Sequence, residues 1–167
     1  PFLGNRGKER SGCCKLPGSE RRHRLIARQV VAHHHQPMSR ERDSEEQVDR
    51  INVMIDFDGD RRTGYNFRVT STAGIYDATL TNETEFNKDW DGNWRHAVGG
   101  DANEWTVEVL IPWHIAPMRE NTGDVRTIGI YLDRVVGSTG ERVAWPLASF
   151  ERPRFLSDFA PIEVTSF

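Results

Sequence analysis

The chain has 167 residues, 37% of them apolar, and a net charge of −3, enough to bury one substantial core and cramped for two. The charge is uneven: residues 1–42 carry ten Lys/Arg against three Asp/Glu, or +7, and residues 43–167 carry twelve against twenty-two, or −10. An acidic body argues against nucleic acid as a partner, because phosphate binding needs a positive face, and no run of about eighteen apolar residues is present to cross a bilayer as a helix.

The chain opens on Pro1 rather than Met and is expected to be a piece of a longer protein, so its lack of a secretory-type leader says nothing about compartment. Residues 1–28 mix Gly, Pro, Ser, Lys and Arg without periodicity, which predicts a disordered basic segment. The two cysteines, Cys13 and Cys14, are adjacent and cannot make a long-range staple. Gln29 to Pro37 reads as a strand ended by proline. Within it His33, His34 and His35 alternate faces, so the three cannot converge on one metal ion. Ser39 to Gln47 is charged and predicts a turn or short helix.

Strong β patterning follows. Ile51, Val53 and Ile55 point one way, and Asn52, Met54 and Asp56 the other. Asp56 to Gly64 reads as a hairpin connection, Tyr65 to Thr70 as its return strand, Ser71 to Gly74 as a turn and Ile75 to Leu80 as a further strand. Thr81 to Asn93 is a long polar loop, and Asn82-Glu-Thr84 inside it is a glycosylation sequon, of consequence only in a eukaryotic secretory protein. Trp94 to Val98 begins a strand, Gly99 to Asn103 is a turn, and Trp105 to Ile111 alternates until Pro112, which has no N–H to give a ladder. Ala116 to Asp124 is a loop, Val125 to Asp133 alternates again, and Gly137 to Gly140 turns the chain into Arg142 to Trp145. Six to eight short strands without a long helix predict an all-β fold, an antiparallel β-sandwich of jelly-roll-like form occupying residues 29–167.

Four of the five tryptophans fall between Asp89 and Trp113. An indole outside a core is costly unless something covers it, and flat aromatic faces beside carboxylates and amides suit ligands with C–H faces and hydroxyl rims, such as sugars. Trp90 and Trp94, four residues apart, are candidates for a stacking platform, with Trp145 approaching from another strand end; core packing is the alternative for each. Trp105 is expected in the core with Val107, Val109 and Ile111. Glu108, on the opposite face, and Arg134, at a strand end, either bond sugar hydroxyls or pair with each other as a structural ion pair.

The order of these motifs carries a resemblance. Asp49-Arg-Ile-Asn-Val-Met-Ile-Asp56, then Asp58, Asp60, Tyr65-Asn-Phe67, Gly74 and Asp77, the Asp89-Trp90 and Trp94 loop, Trp105-Thr-Val-Glu108-Val-Leu-Ile111-Pro112, Gly129-Ile-Tyr-Leu-Asp-Arg134 and Trp145 resemble family 9 carbohydrate-binding modules. The likeness is to the family-9-like β-sandwich domains that precede outer-membrane barrels in some bacterial proteins. It runs from about Gln29 to the C-terminus; the family's opening strands have no recognisable counterpart in residues 1–28. It implies an exported protein, periplasmic, on the cell surface or extracellular, in which this domain binds a carbohydrate and requires no cofactor.

Asp56, Asp58 and Asp60 form a candidate calcium site, because hard cations collect clustered carboxylates, and the resemblance keeps that reading open, since structural calcium is known in the broader family. The EF-hand spacing fails, because Gly59 follows the second Asp and Phe67 stands where a bidentate Glu would close the loop. Acidic residues bonding their own turn backbone are the favoured reading. No nucleophile elbow or catalytic Ser/His setting is present, and plentiful acids do not single out a glycosidase pair, so the domain is expected to be non-catalytic, with any hydrolase activity elsewhere in the parent protein. The competing expectation is a structural or interaction domain attached to an outer-membrane barrel, its sugar site decayed.

Overall fold

The computed structural model describes residues 25–30, 48–101, 104–149 and 151–165, the first of these segments by its backbone alone. It is all-β: strands β1 (Leu25–Val30), β2 (Arg50–Asp56), β3 (Thr63–Thr70), β4 (Ile75–Thr81), β5 (Glu85–Asn87), β6 (Arg95–Gly100), β7 (Glu104–Leu110), β8 (Val125–Val135), β9 (Arg142–Trp145) and β10 (Ala160–Thr165). A small sheet runs β1-β7-β6, a large sheet runs β10-β8-β2-β3-β4-β5, and β9 adds to β8. Every pairing is antiparallel.

The expected strands from Ile51 to Trp145 are present, with bounds shifted by a few residues. The first strand differs more. It occupies Leu25–Val30 and pairs antiparallel with β7, Leu25 opposite Val109 and Val30 opposite Glu104. An opening strand therefore exists, and it begins inside the stretch expected to be disordered. Residues 1–24 and 31–47, with Cys13, Cys14, His33 to His35 and the expected turn at Ser39 to Gln47, lie outside the described residues.

Alternation explains how the sheets meet. On β7, Trp105, Val107 and Val109 are buried while the residues between them are half-buried. Those three pack on Ile51, Val53 and Ile55 of β2 and Tyr65, Phe67 and Val69 of β3, forming the core between the sheets. The hairpin joining β2 to β3 depends on Gly59, whose φ is +63° and whose position would put a Cβ 2.7 Å from the Thr127 carbonyl oxygen. A glycine is needed there both for its backbone and for its lack of a side chain.

The large sheet has a second buried face. Met54, Leu80 and Tyr131 point away from the small sheet and are covered by Ala148, Phe155, Leu156 and Phe159, from the segment between β9 and β10. Tyr131 meets the ring of Phe155 edge-on at 4.9 Å and stacks on Phe159 at 5.7 Å. Both faces of β2 are therefore dry, which is why six of its seven residues are buried.

Phe155 is fully buried, so Phe155→Ala is expected to cost about 3–5 kcal/mol of unfolding free energy, as deletion of a core aromatic does. Chemical denaturation measures this; a loss below about 1 kcal/mol would mean that the β9–β10 segment is not integral to the fold.

Burial, and then the nearby Asp133 carboxylate, push the Tyr131 hydroxyl up to about 12 from an ordinary value of about 10. The folded value is the higher one, so this group's contribution to stability is intact below about pH 10 and is lost as pH rises through about 12. Ultraviolet titration should therefore show Tyr131, one of three tyrosines, ionising only with loss of the folded circular dichroism signal. Replacement by Phe should remove that step.

Candidate ligand-binding site

The aromatic loop between β5 and β6 is drawn into the protein by one carboxylate. Asp77, on β4 and fully buried, accepts a hydrogen bond from the Gly92 backbone N–H at 2.7 Å and one from the Trp94 indole N–H at 3.0 Å. Trp94 is buried, its ring edge-on to Phe67 at 5.4 Å. Trp90 is half-buried and edge-on to Tyr65 at 5.0 Å and Phe67 at 5.8 Å. Gly92 admits the fold-back, because a Cβ there would meet the Trp90 ring at 2.7 Å and the Ile115 side chain at 2.9 Å.

These placements revise the stacking expectation. Trp94 belongs to the core and has no open ring face to offer a sugar. Trp90 packs on that same core and leaves only part of its ring exposed. Trp105 is buried, as expected of a core residue. The loop is a plug on the inner face of β3 and β4, anchored by Asp77.

Glu108 and Arg134 also separate. Their strands, β7 and β8, follow one another in sequence but lie in different sheets. Glu108 alternates with the buried Trp105, Val107 and Val109 and so points away from the large sheet. Arg134 stands opposite Ile51 on β2 and Val143 on β9, on the large-sheet face that turns toward the core between the sheets. The two side chains thus leave from different sheets, Glu108 from the outer face of the small sheet and Arg134 from the inner face of the large one.

Trp145 is different. It is 52% exposed, on the short strand β9, opposite Leu132. Val143, two residues before it and on the same face, is 57% exposed and stands opposite Arg134. Trp145, Val143 and Arg134 thus share one open face at the sheet edge, the only place among the described residues where a tryptophan is both exposed and beside an arginine from the expected set.

The three aspartates of the β2–β3 hairpin are held by the protein itself. Asp56 is buried, and its Oδ2 accepts the Arg61 backbone N–H at 2.8 Å; burial pushes its carboxyl above the usual range, opposed by the N–H groups of Arg61 and Gly59. Asp58 accepts the Arg119 backbone N–H and the Arg126 guanidinium, both at 2.9 Å. Asp60 accepts the Arg62 backbone N–H at 3.0 Å and the Arg119 guanidinium at 2.5 Å. A cavity of about 200 Å³ adjoins them, with Tyr65, Pro117 and Arg119 in its wall. Among the described residues no group of three or more His, Cys, Asp or Glu is arranged to hold a metal ion, and the hairpin's carboxylates bond turn backbone and arginines, with Asp56 Oδ1 buried and without a hydrogen-bond partner. The calcium expectation thus finds no converging ligand set there.

Also among the described residues, no helix is long and apolar enough to cross a membrane. Comparisons of the chain with protein-family models, with curated proteins and with solved structures found no match.

Asp77→Ala should orphan two donors in the interior and cost roughly 2–4 kcal/mol, with the emission of the loop tryptophans moving to longer wavelength in the folded state. Asp77→Asn, which keeps an acceptor oxygen, should cost less. Denaturation followed by tryptophan fluorescence distinguishes the two; equal losses would show that the carboxylate is not an anchor through its hydrogen bonds.

Proposed function

We propose that this domain is a non-catalytic carbohydrate-binding module of a larger exported protein, with its sugar platform at Trp145. The observation that carries this reading is the exposed Trp145 ring on a fixed strand, beside Val143 and with Arg134 on the same face. A sugar ring lays its C–H face on an indole, and a guanidinium next to the platform donates charge-assisted hydrogen bonds to hydroxyls. The paired strands β9 and β8 hold the two groups in place, which limits the entropy lost on binding. The family 9 likeness of the motif order supports the same class of ligand, and half-buried Trp90 serves the fold rather than the sugar.

A second reading has its own observation. Val143, Trp145 and Leu147 are 57%, 52% and 89% exposed, an apolar strip along an edge strand, and such strips serve protein contacts as readily as sugars. It fits an interaction domain seated against an outer-membrane barrel.

Titration of the chain with a panel of neutral mono- and oligosaccharides, followed by tryptophan emission, decides between them. Saturable change with one sugar class, reduced at least tenfold in affinity by Trp145→Ala while the melting curve is unchanged, is the expected result. A flat response from folded protein would overturn the carbohydrate reading and leave the interaction domain.

A further inference from the structure

The large-sheet face away from the small sheet is apolar at one end and cationic at the other. Past the Met54 and Tyr131 pleat, the sheet register sets Arg68 opposite Asn52 and Asn52 opposite Asp133, while Arg50 and Arg142 both stand opposite Val135. The same alternation that puts Met54 and Tyr131 on this face puts these residues there too.

The groups are linked. Buried Asp133 accepts hydrogen bonds from the Arg142 guanidinium and the Asn52 amide. Asn52 Oδ1 in turn accepts the Arg68 Nε–H at 2.8 Å, and the Arg68 guanidinium lies over the Tyr76 ring, 4.2 Å from its centre. Arg68 is therefore fixed on one edge by an amide and on one face by an aromatic ring, as a guanidinium prepared for a planar partner would be. Beside this network, among the described residues, the buried Arg50 Nε and the amide of Asn66, 1% exposed and one pleat from Arg68 on the same strand face, have no hydrogen-bond partner. Burial lowers the proton affinity of Arg68, and the charges of Arg50 and Arg142 lower it further; Asp133 is the carboxylate that acts on both Arg50 and Arg68 in the opposite sense. Among the described residues three guanidiniums gather around one carboxylate in a partly desolvated place, which favours the arrival of a second anion.

We infer that Arg50, Arg68 and Arg142 form a binding site for a small oxyanion, carboxylate or phosphate, on the outer face of the large sheet. Both anions match the guanidinium fork, which donates two parallel bonds to paired oxygens. The site does not rest on the sugar reading, since Arg142 and Trp145 point to opposite faces of β9 and the two sites are separate.

The test is thermal unfolding of the full chain titrated with sodium phosphate, with sodium galacturonate, and with sodium chloride at matched ionic strength. Saturable rises in midpoint with phosphate, galacturonate or both, absent with chloride, are expected. A response to galacturonate alone assigns a carboxylate ligand, and a response to phosphate alone assigns a phosphate. Arg68→Gln and Arg142→Gln should each weaken the apparent affinity about tenfold, the loss typical of one charge-assisted contact. Arg95→Gln, on the exposed surface of the small sheet, removes the same charge and should leave the response as it is. Arg142 is the more exposed of the two site arginines tested, so it carries the test alone where Arg68→Gln does not melt cooperatively. No saturable response to either oxyanion, or equal responses in wild type and Arg142→Gln, would overturn the inference.

Discussion

The central residues of β2, β3 and β8 are buried on both faces of the large sheet, and that constraint governs the rest of the molecule. A strand with one wet face can place polar residues at alternate positions without further provision. Here Asn52, Asn66 and Asp133 stand at such positions and are buried, so each polar atom must find its partner inside the protein or remain a cost. Asn52 and Asp133 solve this by bonding one another and by holding Arg68 and Arg142. The network is thus a consequence of covering the outer face with Phe155, Leu156 and Phe159. The unsatisfied Asn66 amide marks where the solution is incomplete.

The same reasoning applies to the inner face. Asp77 sits among aromatic rings, fully buried, and two donors converge on its Oδ2. Those donors belong to a loop that reaches β4 from across the chain, so the carboxylate specifies one conformation of the loop where apolar packing alone would tolerate several. Tyr65, Phe67, Trp90 and Trp94 then meet edge to face, the arrangement their quadrupoles favour. Aromatic residues in a polar loop are here a device for covering the inner face of β3 and β4.

That device explains where sequence reading stopped. Strand positions and inward faces were legible in β2, β3, β7 and β8, because apolar alternation is a local property. The exposure of Trp90 and Trp94 was not, since the residue that buries them, Asp77, is 13 and 17 positions away and bears no local mark of its role. Strand β5 was hidden in the loop because Glu85 and Asn87 are exposed and give no apolar signal. Strand β10 alternates but is short, and its Pro161 argues locally against a strand. Glu108 and Arg134 looked like neighbours because their strands are consecutive, but the chain changes sheets between them. Trp145 was legible as a candidate, although only the sheet order shows why it stays open: β9 is four residues long and has no strand on its far side among those described.

The free margins of the large sheet show why that openness bears on function. An edge strand offers unpaired backbone to other chains, and natural sheets guard against this with short strands, charges and proline. Strand β5 is three residues long with exposed Glu85 at its start and Lys88 beyond its end. Strand β10 carries Pro161, whose missing N–H interrupts any added ladder. Strand β9 is short, and Pro146 follows it directly, so backbone addition is limited there too. Its side chains are nevertheless left apolar and open: Val143, Trp145 and, just beyond, Leu147. A margin that blocks strand addition while exposing a large aromatic surface is suited to a ligand that binds through side chains rather than through the backbone. The sugar platform proposed at Trp145 is a contact of that kind, and strand addition is not.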